Sequence, residues 1–432
     1  MATFTLNKNN VIGKIKPMHA VGQPPFMGVD TSMFAYLTEA GIPYSRLHDV
    51  GGGYGGGRYV DIPNIFRNFD ADETLPESYD FAFTDVIIKG LVDAGVEPFY
   101  RLGVTIENYC AVKAYFLDPP KDPAKWARIC EHIIMHYTEG WADGFNYDIT
   151  YWEIWNEPDN SNEKIENQMW WGTKEEYFEL YDITAKHLKA RFPHLKIGGF
   201  ASCGFYAIAD AYSPDAKSTP RREYFVEFFH DFLKYVKKSG APLDFFSWHS
   251  YDNKLENLML YAKYAREQLD LYGFTETETT CNEWNADIRT RGTPYHAAKI
   301  SSLMLAMQNS PLDSAMFYDA RCGASWYGSM FDPMTRLPFP TFYAFTAFNR
   351  LYKLGDQIEL TSDISGDVQA IAASGKDGTA LVIANPTGEE LPLVINGAEP
   401  LYYTVTDIRG NDRHTEYLTA IPAESIVSVI FR

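Results

Sequence analysis

The chain contains 432 residues, of which 46% are hydrophobic, and it carries a formal net charge of -19. A charge of this sign and size repels phosphate backbones and anionic lipid surfaces, so we expect no nucleic-acid and no membrane partner. No apolar run reaches the roughly 18 residues that a transmembrane helix requires. The length allows one large barrel with an appendage, or several smaller domains.

The amino-terminal residues and the cysteines favour a reducing compartment. The sequence MATFTLNKNNVIGK lacks the apolar core of a signal peptide. The cysteines have no CxxC spacing, which favours free thiols over disulfides or a zinc site; they are Cys110, Cys130, Cys203, Cys281 and Cys322. The histidines include no HExxH motif. We therefore expect a cytoplasmic protein with no metal and no cofactor, unless a signal sequence has been removed from it.

Short apolar runs alternate with amphipathic helical patterns from residue 15 to residue 354, and the last of these helical patterns spans residues 295–308. Thr173 and Glu176 have the spacing of a capping box, and Gly240 and Gly273 follow the ends of two helical patterns. Strand–helix units in series predict the α/β class and, within it, a (β/α)₈ TIM barrel over residues 15–354. The predicted strands are residues 16–21, 44–48, 97–102, 151–156, 196–201, 244–249, 278–283 and 315–318.

After Leu354 the pattern changes to short alternating runs, such as residues 368–372, 380–384, 392–394 and 425–431. Turns rich in glycine, asparagine and aspartate separate these runs, and no helical pattern appears. The pattern predicts an accessory C-terminal β-sandwich domain over residues 355–432. Residues 1–14, in which Phe4 and Leu6 alternate with polar residues, are predicted to add a strand to it.

The fourth predicted strand ends in an unusual sequence, YWEIWNEPDN, which spans residues 151–160. Glutamate is a poor strand former and is costly to bury without a partner. Pro158 cannot donate a backbone hydrogen bond, so the strand must end before it. Because the carboxyl ends of barrel strands carry the chemistry of this fold, Glu157 is a candidate catalytic residue.

A second candidate, Glu283, ends the seventh predicted strand in the sequence TETTCNEWN. A barrel brings the ends of these two strands to one mouth, and two carboxyl groups about 5–5.5 Å apart are what a retaining glycosidase uses. One group protonates the leaving oxygen, and the other attacks the anomeric carbon. Glu153 lies inside its strand, which predicts a buried hydrogen-bonding role. Glu276 and Glu278 lie at the wrong end of the barrel.

The sequence GGGYGGG, residues 51–57, resembles a phosphate-binding loop only in its glycines. The Gly-Lys-Ser/Thr ending is absent and no helix start follows, so the run predicts a loop over the barrel mouth rather than a nucleotide site.

The NEP motif at residues 156–158, together with a glutamate on the seventh strand, resembles the retaining glycoside hydrolases built on (β/α)₈ barrels. Within that clan the chain looks most like glycoside hydrolase family 39, the β-xylosidase and α-L-iduronidase family. The resemblance spans residues 15–354 and rests on YSRLHD, GVEPFYRLG, WEIWNEPD, LKIGGFASCG, DFFSWHSYD and CNEWN, in that order. It implies a glycoside or oligosaccharide substrate and β-xylosidase-like hydrolysis by double displacement.

The resemblance also implies residue roles. Glu157 would be the general acid/base, Glu283 the nucleophile, and Asn156 a ligand of the sugar 2-hydroxyl. Arg46 would contact the nucleophile and His48 the sugar, although a buried structural role fits His48 as well. The other candidates for substrate binding are His249 and Tyr251, which match the family's pair near the nucleophile, and Trp284 and Trp326, which fit either stacking platforms or core positions.

Two positions depart from the family pattern and leave the identity of the sugar open. VTIEN, residues 104–108, stands where the xylosidases have a Met-Pro segment, and Asn282 stands where threonine is usual. An arabinofuranosidase or an endo-glycanase of the same clan would share the fourth-strand motif. A non-catalytic carbohydrate-binding barrel would be favoured if either carboxyl group were missing, but both are present.

Overall fold

The computed structural model describes residues 2–25, 27, 32–49, 60–105, 117–213, 217–322 and 326–431. The glycine run predicted to cover the barrel mouth lies outside these residues. Eight parallel strands close into a barrel, which confirms the predicted TIM barrel. After β1 (Ala2–Lys14), the barrel strands in chain order are β2 (Ala20–Gly22), β3 (Tyr44–Leu47), β4 (Glu97–Leu102), β5 (Tyr151–Ile154), β6 (Lys196–Ser202), β7 (Phe245–Ser250), β8 (Glu278–Trp284) and β9 (Ser314–Tyr318).

The barrel strands lie where the alternating pattern predicts them, and their ends agree with the prediction to within one residue except in β2 and β5. β2 is shorter than predicted, since Pro17 has no N–H to donate to a ladder. β5 ends earlier than predicted because Trp155 and Glu157 have left-handed backbone angles, with φ of 73° and 45°. This turn carries Glu157 out of the strand and into the barrel mouth.

Helices surround the barrel, and their ends follow familiar capping rules. The capping box predicted at Thr173 and Glu176 is present, and Gly240 and Gly273 end two helices in the left-handed conformation. In the described part of the chain the helices are α1 (Phe34–Ala40), α2 (Ile62–Ile65), α3 (Ala82–Asp93), α4 (Pro123–Thr138), α5 (Lys174–Arg191), α6 (Tyr206–Asp210), α7 (Pro220–Ser239), α8 (Leu255–Tyr272), α9 (Pro294–Gln308) and α10 (Pro340–Leu354). Within the same described ranges, 3₁₀ turns span Pro76–Ser78 and Ile288–Thr290.

The remaining strands form one nine-stranded sheet in the order β15–β14–β17–β12–β11–β10–β1–β13–β16. Besides β1, they are β10 (Asp356–Ser362), β11 (Gln369–Gly375), β12 (Gly378–Asn385), β13 (Leu391–Asn396), β14 (Pro400–Asp407), β15 (Gly410–Thr415), β16 (Ala420–Ile421) and β17 (Ser425–Phe431). β1 and β13 are parallel and the other pairs are antiparallel. Phe4 and Ile421, near one end of the sheet, share an apolar cluster with Tyr403 and Val427 from the other end. The predicted accessory β structure is therefore a sheet curled around its own core.

The other face of the curled sheet packs on the barrel. Ile371 on β11 and Val382 on β12 belong to the same apolar cluster as the barrel core. Arg350 on α10 reaches across to the sheet and pairs with Asp412 at 2.6 Å. Barrel and sheet are thus joined by buried apolar contacts as well as by the chain.

The cysteines of the described residues are free thiols, namely Cys130, Cys203, Cys281 and Cys322, whereas Cys110 lies outside the described residues. None of the helices in the described ranges is both long enough and apolar enough to cross a membrane.

Candidate active site

Two glutamates meet at the carboxyl-terminal mouth of the barrel. Glu157 follows β5 and Glu283 lies near the end of β8. A carboxyl oxygen of Glu157 lies within 4.8 Å of a carboxyl oxygen of Glu283. The backbone N–H of Glu157 donates to the carbonyls of Phe200 and Ala201 on β6, at 3.2 and 3.1 Å, which holds the residue in its left-handed conformation. The structure thus brings together the two carboxyl groups singled out in the sequence.

Arg46, on β3, is fully buried and donates to three oxygens beneath the mouth. Its Nη1 lies 3.1 Å from Oε2 of Glu283, and its Nη2 lies 2.5 Å from Oδ1 of Asn156. Its Nε lies 2.8 Å from Oε2 of Glu153. A guanidinium carries five donors and no acceptor, so one side chain can orient all three oxygens.

Glu153 is a buried hydrogen-bonding residue, in agreement with its predicted role. Its Oε1 accepts from Oγ of Ser247 at 2.6 Å and from Nδ2 of Asn282 at 2.5 Å, in addition to the bond from Arg46 to its other oxygen. Three donors offset the cost of burying a carboxylate. Asn282, which departs from the family pattern, therefore binds a carboxylate that supports the site.

The imidazole of His249, on β7, lies between the two glutamates. Its Nδ1 is 2.7 Å from Oε1 of Glu157, and its Nε2 is 3.5 Å from Oε2 of Glu283. Burial opposes protonation of this ring, but the charges of Glu283 and Glu157 raise the pKa of His249 above its ordinary value. The ring is therefore able to hold a proton beside Glu157.

The pKa values of the two carboxyl groups are displaced in opposite directions. Burial opposes ionisation of Glu157, but hydrogen bonds from His249 and Asn160 outweigh it and lower the pKa of Glu157. Burial raises the pKa of Glu283; the charge of Glu157 acts in the same sense, and His249 and Arg46 oppose it. Glu157 therefore holds a proton less readily than an ordinary glutamate, and His249 is the neighbour placed to share one with it.

Tyr251, which follows β7, donates its hydroxyl to Oε1 of Glu283. The rings of Tyr327 and Tyr318 pack beside it, with centroids 4.7 and 6.2 Å away. Burial and the charge of Glu283 raise the pKa of Tyr251 well above its ordinary value, so the hydroxyl stays protonated and remains a donor. Glu283 thus receives one neutral and one charged hydrogen bond, from Tyr251 and Arg46.

Glu157 also contacts residues that the sequence motifs do not single out. Nδ2 of Asn160 donates to Oε2 of Glu157 at 2.9 Å. Asp159 accepts from Oγ of Ser202 at 2.7 Å and from the backbone N–H of Cys203. Burial, together with the charge of Glu157, raises the pKa of Asp159 to about 7, although the bond from Ser202 opposes the rise. The only sequence signal for these residues is that Asp159 and Asn160 directly follow the NEP motif.

His48 lies just beyond β3 and is buried. Its Nε2 is 3.4 Å from Oδ1 of Asp49, and its Nδ1 has no hydrogen-bonding partner among the described residues. Burial lowers the pKa of His48 well below its ordinary value, and the charges of Arg101 and Arg46 add to the effect. The ring is therefore neutral, with one nitrogen left to bind another group.

The two predicted stacking tryptophans differ in exposure. Trp284 is 1% exposed and packs edge-on against Phe317, so its ring belongs to the core and offers no face to a sugar. Trp326 is 62% exposed, and the guanidinium of Arg291 lies over its ring, 5.2 Å from the centroid. Trp326 therefore has a ring that a ligand can reach.

Glu157, His249 and Glu283 are also close enough to share a cation, since one ligand atom of each lies within 4.8 Å of the others. Arg46 already places a positive charge 3.1 Å from Glu283, and that charge opposes a second cation there. We therefore interpret the three side chains as a hydrogen-bonded acid–base group.

The barrel and its two facing carboxyl groups define a glycoside hydrolase. The chain belongs to the glycosyl hydrolases family 39, whose sequence profile matches residues 30–386. It is 26% identical to a β-xylosidase of Geobacillus stearothermophilus, over 84% of this chain and 73% of that relative.

Two solved structures show the same fold. A glucosidase from Croceicoccus marinus has a TM-score of 0.78 at 20% identity, and the match covers 100% of this chain and 99% of that one. A monomeric β-xylosidase from Caulobacter crescentus CB15 has a TM-score of 0.69 at 17% identity, over the same shares of the two chains.

Proposed function

We propose that the chain hydrolyses β-xylosides with retention of configuration, with Glu157 as general acid/base and Glu283 as nucleophile. The observation that carries the mechanism is the separation of the two carboxyl groups. Oxygens within 4.8 Å of each other fit the spacing of about 5–5.5 Å that retaining enzymes use, and not the roughly 6.5–9.5 Å that leaves room for a water in inverting enzymes. The similarity to the Geobacillus β-xylosidase supports the choice of sugar.

In the first step, an oxygen of Glu283 forms a bond to the anomeric carbon and the bond to the leaving oxygen breaks. The leaving oxygen takes a proton from Glu157. Arg46 favours the ionised form of Glu283, and Tyr251 orients the carboxylate through the second hydrogen bond. Both donors are in place before substrate binds, so little reorganisation is needed for the attack.

In the second step, a water attacks the anomeric carbon, gives a proton to Glu157, and the bond to Glu283 breaks. Glu157 must therefore lose a proton in one step and gain one in the next. The 2.7 Å contact between Glu157 and His249 lets the pair share a proton, so the carboxyl group can act as an acid although its own pKa is low.

Three further residues are proposed to bind substrate. Oδ1 of Asn156 is held by Arg46, which leaves the amide N–H groups of Asn156 to donate to the sugar 2-hydroxyl. Nδ1 of the neutral His48, which has no partner within the part of the chain that the structure describes, is suited to a second sugar hydroxyl. The exposed ring of Trp326 is suited to stacking on the part of the substrate that leaves.

The test is a comparison of nitrophenyl glycosides, with Glu283→Gln as the inactive control. We expect the highest kcat/KM on the β-D-xyloside, above the α-L-arabinofuranoside and the β-D-glucoside. Proton NMR of the first-formed sugar should show the β anomer before mutarotation. A first-formed α anomer would refute retention, and a preference for either competing glycoside would refute the choice of sugar.

We also propose that the protein is cytosolic. The free cysteines support this location, because a reducing compartment keeps thiols from pairing. Fractionation of the cells that make the protein tests it: activity in the medium or the envelope fraction would contradict the proposal.

A further inference from the structure

Glu157 is held by an amide group whose orientation depends on an arginine from another part of the chain. Nδ2 of Asn160 donates to Oε2 of Glu157 at 2.9 Å, and Oδ1 of the same amide accepts from Nη2 of Arg221 at 2.8 Å. Nε of Arg221 also donates to the backbone carbonyl of Asn160 at 2.6 Å. Asn160 is 4% exposed, whereas Arg221 lies at the start of α7 on the surface.

An asparagine amide has two ends of nearly equal size, one of which only accepts hydrogen bonds and one of which only donates them. Rotation by half a turn about the last side-chain bond would exchange them. A guanidinium donates and never accepts, so Arg221 can bind only the oxygen of the Asn160 amide. With that oxygen fixed, the N–H group must face Glu157.

We propose that Arg221 is a positioning residue that fixes the side-chain amide of Asn160, so that its N–H and not its carbonyl faces Glu157. The proposal rests on the role of Glu157 as acid/base given above. Arg221 is suited to this task because two of its donors bind Asn160 at once. The bond to the backbone carbonyl fixes the position of Asn160, and the bond to Oδ1 opposes rotation of its side-chain amide.

Several other groups act on Glu157, and one of them, Cys203, also accepts from Nδ2 of Asn160 at 3.6 Å. The titratable and charged groups that face Glu157 among the described residues are His249 on β7, Glu283 on β8, Arg46 on β3, Asp159 in the same turn, Cys203 after β6 and Tyr206 on α6. Each acts on the charge of Glu157. Among hydrogen bonds between described residues, the donor to Oδ1 of Asn160 is Arg221.

Loss of this positioning should change the pKa of Glu157 in a definite direction. The N–H of Asn160 stabilises the ionised form of Glu157 and lowers its pKa. A carbonyl turned toward Glu157 would instead accept its proton and stabilise the neutral form. The pKa of Glu157 should then rise. Because the enzyme fails at high pH when its acid has lost the proton, the basic limb of the kcat/KM profile should move to higher pH.

The experiment compares Asn160→Leu, Arg221→Met and the double variant with the unchanged enzyme on an aryl β-xyloside. We expect Asn160→Leu to move the basic limb upward by about one pH unit, the size expected for a lost hydrogen bond to a charged group. Arg221→Met should move it in the same direction by less. The double variant should match Asn160→Leu, since Arg221 has nothing left to position. The matched control is Arg191→Met. It removes an arginine at the end of α5 that is bound to Glu139.

A second readout does not depend on the substrate. The carbon-13 signal of the Glu157 carboxyl group, identified by its loss in Glu157→Gln, can be titrated in the free protein and should show the same shifts. If the unchanged enzyme hydrolysed no glycoside but the variants still showed these shifts in the Glu157 titration, the proposed function would be refuted and the positioning role of Arg221 would stand. An unmoved titration in Arg221→Met, or additive shifts in the double variant, would overturn the positioning role. Arg221→Met alters a surface side chain, so it decides the matter even if Asn160→Leu does not fold.

Discussion

Nδ1 of His249 lies 2.7 Å from Oε1 of Glu157, a distance at which an imidazole and a carboxyl group hold one proton between them. The opposite displacements of their pKa values have this contact as a common cause. A glutamate whose proton is shared in this way can act as an acid in one step and as a base in the next.

Replacing His249 with asparagine should separate substrates by their leaving groups. A good leaving group needs no proton, so dinitrophenyl glycosides should lose less than about tenfold in kcat/KM, whereas poor phenols should lose on the order of a hundredfold or more. His230→Asn, which changes a histidine bound to Tyr264 on α8, is the control. Equal losses on both substrates would mean that His249 only supports the fold of the site.

Azide should distinguish the two glutamates. In Glu157→Ala the glycosyl-enzyme still forms on activated substrates, so azide should attack it and give a glycosyl azide of the same configuration as the substrate. Glu283→Ala cannot form that intermediate, and azide should attack directly and give the inverted azide. NMR of the adducts gives the answer. The reverse pattern would show that the two roles are exchanged.

Arg46→Met should raise the pKa that governs the acidic limb of the pH profile. Arg46 favours the ionised form of Glu283, so its removal makes protonation easier and the acidic limb moves to higher pH. The removal also leaves Glu153 with fewer donors, so activity and melting temperature should both fall. Glu153→Gln serves as the control for that second effect. An acidic limb that stays in place would show that Arg46 does not set the charge of Glu283.

The raised pKa of Asp159 predicts a pH-dependent stability. Its pKa is about 7 in the folded chain, above the ordinary value of 3.8. The folded chain thus prefers the protonated form of Asp159. The contribution of this residue to the free energy of unfolding is complete below the ordinary pKa, and it is lost as the pH rises through about 7. Asp159→Asn removes this dependence, so relative to the unchanged protein its free energy of unfolding should improve from pH 5 to pH 8. Urea titrations at the two pH values measure it; a constant difference would contradict the prediction.

The sequence predicts the barrel well because its strands alternate with helices at regular spacing. It predicts the carboxyl pair because Glu157 and Glu283 interrupt apolar runs. Residues that meet only through the fold are not predictable in this way: Arg221 reaches Asn160 from a different barrel unit. α10 lies beyond the last predicted helical pattern, although Pro340 at its first turn is a helix-start signal. The curled sheet differs from a sandwich because alternation predicts strands but not their pairing order.

We propose that residues 15–354 form one domain and that residues 1–14 and 355–432 form the other. Ile371 and Val382 of the sheet are buried in the same cluster as the barrel core, so we expect the two domains to unfold together. Calorimetry should show a single transition. Ile371→Asp should weaken the contact and split it into two, whereas Ile408→Asp, at an exposed position, should not. Two transitions in the unchanged protein would contradict the coupling.

The position of β1 in its sheet determines when this strand can pair during synthesis of the chain. This strand precedes the barrel in the chain, yet its hydrogen-bonding partners, β10 and β13, follow the whole barrel. Until those strands are made, the side chains of Phe4 and Leu6 have no apolar core to pack in. The polar run NKNN at residues 7–10 keeps the unpaired strand hydrated until then. A nascent chain must therefore be translated through β10 before β1 gains its antiparallel partner, and through β13 before both edges of β1 are paired.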